Sequence, residues 1–279
     1  MIVVGTGPPL VLIPGIQGRW EWMEPTVRAL GAYFRVVTSS LPGDLGGSVD
    51  EVGVDGFDAY AHWAECLLND AGIDRATVVG VSFGGLVAAH LAAYRPARVQ
   101  ALVLASTPGP SWRPDARIRR YMRAPRLMAP AFVAESPWRL GPEIIAAHGT
   151  WRDRLGFAVA QTVRVVRAPM RPGQVQKRLR LMAAMDAAGW CQRITAPTLV
   201  ITGEPHLDRV VSVAGSREYA SAIPGGAEVA TLAHTGHIGC VTRPDAFAEL
   251  VRGFWGLGSR FSAHADTTQH LPPNTWSTW

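Results

Sequence analysis

With 279 residues, 48% of them hydrophobic and 18% charged, the chain is long enough to bury a large core and too apolar to stay disordered. No run nears the ~20 consecutive apolar residues of a membrane span. The first residues turn within a few positions into Pro8 and Pro9, so neither a secretory signal nor stable membrane insertion is expected, and the expected location is the cytoplasm. In chain order, a strand-length apolar run at residues 10–13 is followed by a helical period over 24–33 and a strand at 35–38. A helix over 58–71, a strand at 77–81, a helix over 84–94 and a strand at 101–105 come next. From about residue 108 to 192 the alternation lapses, and prolines divide segments of helical character. It resumes with a strand at 198–202, a helix over 213–222, a strand at 228–232 and a helix over 245–255. Past Trp255 the chain turns polar, and residues 257–279, with Trp276 and Trp279 near the end, are expected to form a flexible tail.

Strands alternating with helices define the α/β class, with a mostly parallel, doubly wound sheet covered on both faces. The helical stretch would lie over the sheet's carboxyl edge, where such folds place their ligands. The expected domains are a core of residues 1–107 and 191–256, an α-helical cap of residues 108–190 inserted between the core halves, and the tail. Charge divides the same way. Residues 111–190 carry 14 Arg and one Lys against five acids, so this part is positive by ten while the remainder is negative by five, within a net charge of +5. A basic middle in an acidic frame suggests an inserted unit suited to anionic substrates or surfaces; a solvated arginine-rich helix face is the plainer reading. Nucleic acid is not an expected partner, because no basic run is interleaved with aromatic platforms. Cys66, Cys191 and Cys240 are odd in number and far apart, so they are expected to be reduced and mostly buried, with no metal site and no cofactor.

Residues 77–85 read Thr-Val-Val-Gly-Val-Ser-Phe-Gly-Gly, an apolar strand broken by Ser82 between glycines. A strand that turns straight into a helix strains its corner residue, and glycine neighbours let the chain pass closely enough to do so. The corner exposes the serine oxygen, and the amides opening the next helix, Phe83 first, point at the same space. A serine hydroxyl is a poor nucleophile alone and needs a base that is itself oriented by a carboxylate. The loop after strand 198–202 supplies Glu204, His206 and Asp208, and the loop after strand 228–232 supplies His234 and His237.

The order Ser82, Asp208, His237, each after a strand, resembles the α/β-hydrolase superfamily. Pro14-Gly15-Ile16-Gln17-Gly18 after the first strand looks like that family's oxyanion loop, and the match extends over most of residues 1–256. The resemblance implies that Ser82 attacks a carbonyl carbon, His237 moves its proton, Asp208 holds the imidazole, and the backbone N–H groups of Ile16 and Phe83 bind the oxyanion. It implies a small-molecule substrate, with Gln17, Arg19 and Trp20, and also Trp22, as candidates for lining its acyl side. His234 and Glu204 are the rival base and acid, while His206, His62 and His90 read as structural. Three departures stand out: Pro14 replaces a frequent histidine, the loop at 39–44 leads with serine instead of aspartate, and the usual opening hairpin must be short or missing. A serine at position 82 points to acyl chemistry. The expected activity is hydrolysis of a carboxylic ester; the alternatives are a lactonase or carbon–carbon bond hydrolase, or a ligand-binding member without turnover.

Overall fold

The computed structural model describes residues 1–44 and 56–266. The first half runs β1 (Ile2–Val4), β2 (Pro9–Ile13), a 3-10 turn (Trp20–Met23), α1 (Glu24–Gly31), β3 (Arg35–Thr38), α2 (Gly56–Asp70), β4 (Ala76–Val81), α3 (Phe83–Tyr94) and β5 (Val99–Ala105). Helices α4 (Ala116–Arg123), α5 (Pro125–Ala134), α6 (Ser136–Ala147), α7 (Trp151–Arg167) and α8 (Pro172–Ala184) follow without a strand. The chain then makes α9 (Ala187–Cys191), β6 (Thr198–Thr202), α10 (Val213–Arg217), α11 (Tyr219–Ala222), β7 (Glu228–Thr231), α12 (Gly239–Thr242) and α13 (Pro244–Asp266).

The seven strands form one sheet in the order β1-β3-β2-β4-β5-β6-β7. β1 pairs antiparallel with β3 and every other neighbour is parallel. Strands covered on both faces should read as continuous apolar runs, and β4 (Ala-Thr-Val-Val-Gly-Val) is buried at every position. Alternate residues feed opposite faces. Val11, Ile13 and Val78 join Trp63, Phe83 and Leu86 on the side of α2 and α3. Leu10, Leu12, Val79 and Val103 join Val27, Leu30, Phe247 and Val251 on the side of α1 and α13. Both helical layers therefore rest on a filled core, and the strand ends between them are fixed.

The path reverses direction at β2 and β4: β3 lies on one side of β2, whereas β5, β6 and β7 continue beyond β4. Such a switch opens a crevice at the carboxyl ends of the two strands. The loop after β2 and Ser82 after β4 meet there. The long helical insertion reaches the same end of the sheet, since α6 bonds to the loop after β7 and α8 to the loops after β2 and β3. Its helices start where side-chain caps permit: Asp115 accepts the N–H of Ile118, and Thr150 that of Asp153.

In place of an opening hairpin there is one three-residue strand, β1, which pairs with β3 and not with β2, in keeping with a hairpin short or missing. Three expectations change. The helix expected over 213–222 is split into α10 and α11 at Glu218, whose carboxylate accepts both the N–H and the hydroxyl of Ser111. The last helix continues past Trp255 to Asp266, so the first ten residues of the expected tail are helical, while residues 267–279, with Trp276 and Trp279, lie outside the described residues. Cys66 is only half-buried on α2, unlike Cys191 and Cys240; all three are free thiols.

Candidate active site

Ser82 stands between β4 and α3 at φ 56°, ψ −119°, a region that residues with side chains rarely adopt. Close packing of the flanking backbone holds it there. A Cβ on Gly80 would fall 2.2 Å from the carbonyl oxygen of Gly84, and one on Gly84 would fall 2.2 Å from that of Ile13. Both glycines are therefore required by contact, and together they bring the corner against the end of β2. Phe83 begins α3, so its N–H has no partner within the helix. Its ring is buried on Phe57 and Tyr60, with centroids 5.6 and 5.2 Å away.

His237 Nε2 lies 3.2 Å from Ser82 Oγ, and His237 Nδ1 lies 3.5 Å from Asp208 Oδ2. The other oxygen of Asp208 accepts the N–H groups of Val210 and Val211 at 2.9 and 2.8 Å. Burial tends to raise the Asp208 carboxyl, but the His237 imidazole and these two amides outweigh it and hold the group below the usual carboxylate range. The two loops cross at Gly236, where a Cβ would sit 2.5 Å from the Leu207 carbonyl oxygen. Glycine before His237 is thus what allows the acid loop and the histidine loop to touch.

The rival groups are engaged elsewhere. Glu204 accepts the backbone N–H of His234 at 2.7 Å, and His234 is exposed in a left-handed turn at φ 61°. Glu204 also approaches the exposed His206, at 3.6 Å. His90 packs among the rings of Phe57, Tyr94 and Trp190, and burial lowers its pKa. His62 faces Cys66 on α2.

The loop after β2 runs beside the serine. A Cβ on Gly15 would lie 3.6 Å from Ser82 Cβ and 3.2 Å from Gln17 Oε1, so Gln17 folds back toward the reacting corner. The other candidates for the acyl side are placed differently. Arg19 is buried and paired with Glu21 at 2.6 Å, Trp20 packs against the core beneath α1, and Trp22 donates its indole N–H to the Ala168 carbonyl after α7. Of these four, Gln17 is the one whose side chain lies, like Ser82, against Gly15.

Sequence reasoning missed two buried charges in the insertion. Glu143 on α6 accepts the N–H of Ile238 and the hydroxyl of Thr242, and Arg178 on α8 reaches the loop after β2. The arginine surplus was visible, but not where it is spent. Arg164 pairs with Glu24, Arg171 donates to the Gly43 carbonyl, and Arg139 to that of Arg209. Arg139, Arg164, Arg171 and Arg178 therefore fasten the insertion to the core.

A seven-stranded sheet of this order, carrying a serine on a strained strand-to-helix corner with histidine and aspartate in line behind it, defines a hydrolase fold. The chain belongs to the alpha/beta hydrolase fold family, whose profile matches residues 8–244. Its relatives include hydrolases of several kinds. The chain is 26% identical to a pimeloyl-[acyl-carrier protein] methyl ester esterase of Vibrio parahaemolyticus, over 90% of this chain and 95% of that protein. It is 28% identical to the polyketide synthase ThaQ of Burkholderia thailandensis, where the match spans 90% of this chain but 12% of the synthase. A match over 51% of this chain spans 46% of the corresponding esterase of Vibrio campbellii, at 33% identity. Among solved structures, the enol-lactonase of Burkholderia xenovorans LB400 superposes with a TM-score of 0.74 at 25% identity, covering 91% of this chain and 95% of that one. The chain is thus a member of a hydrolase-fold family, and among its described residues no helix is long and apolar enough to cross a membrane.

Proposed function

We propose that the protein is a serine hydrolase that cleaves a carboxylic ester of a small or medium substrate through an acyl-enzyme. One observation carries the reading: the Ser82 hydroxyl, held outward by a strained backbone, lies 3.2 Å from an imidazole nitrogen whose partner nitrogen faces Asp208. As Ser82 Oγ attacks the ester carbonyl, His237 Nε2 takes its proton and Asp208 stabilises the imidazolium. The oxygen that becomes negative is received by the N–H groups of Ile16 and Phe83, each such donor being worth roughly 3 kcal/mol. Collapse expels the alcohol, which takes the proton from His237, and water repeats the sequence to release the acid. Helices of residues 108–190 act as the cap that shapes the acyl and alcohol sides. Three unpaired cysteines fit a reducing compartment and favour the cytoplasm.

A lactone is the second reading, supported by the likeness to the enol-lactonase. Ring-cleavage ketoacids are less favoured, because Arg178, the cap arginine that reaches the loop after β2, is taken up by the Ile16 and Pro42 carbonyls and Asp44, and Arg164 and Arg171 are bound to Glu24 and the Gly43 carbonyl. A binding protein without turnover is opposed by the alignment of Ser82 and His237. The test is pre-steady-state hydrolysis of p-nitrophenyl esters beside a panel of lactones. A burst of nitrophenol with acyl-Ser82 detected by mass spectrometry supports the ester reading. Turnover of lactones with no ester burst selects the second, and neither activity with either class overturns both.

A further inference from the structure

Glu143 and Arg178 are both fully buried, yet charged side chains are rarely so unless their charge is spent on partners. Each spends it on one of the two loops that flank Ser82. Glu143 Oε2 accepts the N–H of Ile238 at 3.0 Å, the residue next to His237, and Oε1 accepts the Thr242 hydroxyl at 3.2 Å. Arg178 donates Nη1 to the Ile16 carbonyl at 2.9 Å and Nη2 to the Pro42 carbonyl at 3.0 Å. Its Nη2 also meets the buried carboxylate of Asp44, and its Nε lies 3.3 Å from the Tyr60 hydroxyl. Tyr60 in turn packs edge-on against Phe83. The guanidinium thus touches both sides of the expected oxyanion site, directly at Ile16 and through one ring at Phe83.

The loop is cut to receive this pair. Gly18 has φ 77°, and a Cβ there would stand 2.0 Å from Asp44 Oδ2 and 2.5 Å from Arg178 Nη1. A glycine is needed both for the backbone and for the space. Gly18 N–H bonds back to the Gly15 carbonyl, so the turn that presents the Ile16 amide closes on the residue beside Ser82. On the opposite side, Ile238 and Thr242 bracket α12, the short helix that leaves His237. Glu143 therefore fixes the exit of the histidine loop, as Arg178 fixes the turn of the loop after β2.

We infer that Glu143 and Arg178 are positioning residues of the proposed acyl transfer: from the inserted helices, Glu143 holds His237 within reach of Ser82, and Arg178, gripping the Ile16 carbonyl, holds the turn that presents the Ile16 N–H to the developing oxyanion. The insertion then supplies part of the catalytic geometry and not only a cover. This rests on the serine-hydrolase reading. Neither side chain touches the substrate, so both act through backbone placement, and a small displacement of reacting groups is costly to rate.

Glu143→Gln keeps the volume but faces the two donors with one carbonyl. Arg178→Lys keeps a cation near Asp44 but cannot span Ile16, Pro42 and Asp44 together. In the full chain, steady-state hydrolysis of a p-nitrophenyl ester and the rate of fluorophosphonate labelling of Ser82 are measured for both variants, with melting temperatures. The expected result is kcat and labelling rate each lower by about tenfold or more, KM within about threefold, and both variants folded at the assay temperature. A merely structural role would lower the melting temperature, or raise KM, with kcat and labelling within twofold of the parent, and that result overturns the inference. If Glu143→Gln does not fold, Arg178→Lys and Thr242→Val decide, the latter removing one bond to Glu143 and expected to lower kcat by a smaller factor. A parent that is labelled and active beside unchanged variants sinks the inference alone. A parent that is neither labelled nor active removes the serine-hydrolase reading and the inference with it.

Discussion

Ser82 is held at φ 56° by its neighbours, and a side-chain-bearing residue in so sparse a region costs on the order of 1–3 kcal/mol. That cost is stability given up to expose a hydroxyl. Glycine tolerates the same backbone, so Ser82→Gly and Ser82→Ala should both abolish turnover but differ in stability. Denaturant melts are expected to place Ser82→Gly above Ser82→Ala by about 1 kcal/mol, and the reverse order would mean that the corner is not strained. At Asp208 the balance runs through protons. Burial raises this carboxyl, His237 and the two amides lower it further, and the net direction is down. As pH falls the unfolded carboxyl therefore takes its proton first. The stabilisation is whole above the ordinary carboxylate range and is lost as pH passes below the depressed folded value. Wild type should exceed Asp208→Asn in stability at pH 7, and the gap should close on acidification; a gap that widens contradicts the assignment. Asp208→Asn should also lower kcat by on the order of 10³–10⁴-fold through the wrong tautomer.

Among the elements, those with a strong local signal were legible in the sequence. The buried runs of β2, β4, β5 and β6 announce themselves through Val, Ile and Leu, and the glycines around Ser82 through their spacing. What could not be read depends on partners distant in the chain. Nothing local says that Glu143 is buried, or that Arg178 is buried while Lys177 and Arg180 of the same helix face water, because their partners lie 95 and 162 residues away. α7 makes the same point in reverse. Its Gln161 and Arg164 turn inward to Trp22 and Glu24, whereas Trp151, Leu155, Val159 and Val166 face out, Val166 being 72% exposed. A pattern of apolar residues at helical spacing would assign the wrong face to the core. Val159→Gln should therefore change stability by no more than about 0.5 kcal/mol, as for ordinary surface sites. A loss of 2 kcal/mol or more in denaturant melts would show that this face is packed. The split of α10 from α11 escaped for a related reason: Glu218 is drawn to Ser111, which lies just beyond β5.

Across the whole molecule, the side chains proposed to react come from three loops at one end of the sheet, after β4, β6 and β7, and the loop after β2 completes the ring. Cooperation among them requires the acid and histidine loops to cross without a gap, and Gly236 is the point of contact. Gly236→Ala would push its methyl against the Leu207 carbonyl. It should separate His237 from Asp208, with kcat lower by about 10²-fold at little change in KM. Unaltered kcat would show that the crossing is slack. The most direct measurement of the central claim is the site and rate of fluorophosphonate modification by peptide mass mapping. Wild type should be modified at Ser82 alone, His237→Ala should slow that reaction by about 10³-fold or more, and His234→Ala should leave it within threefold. Modification elsewhere, or at Ser82 with a rate indifferent to the loss of His237, would contradict it.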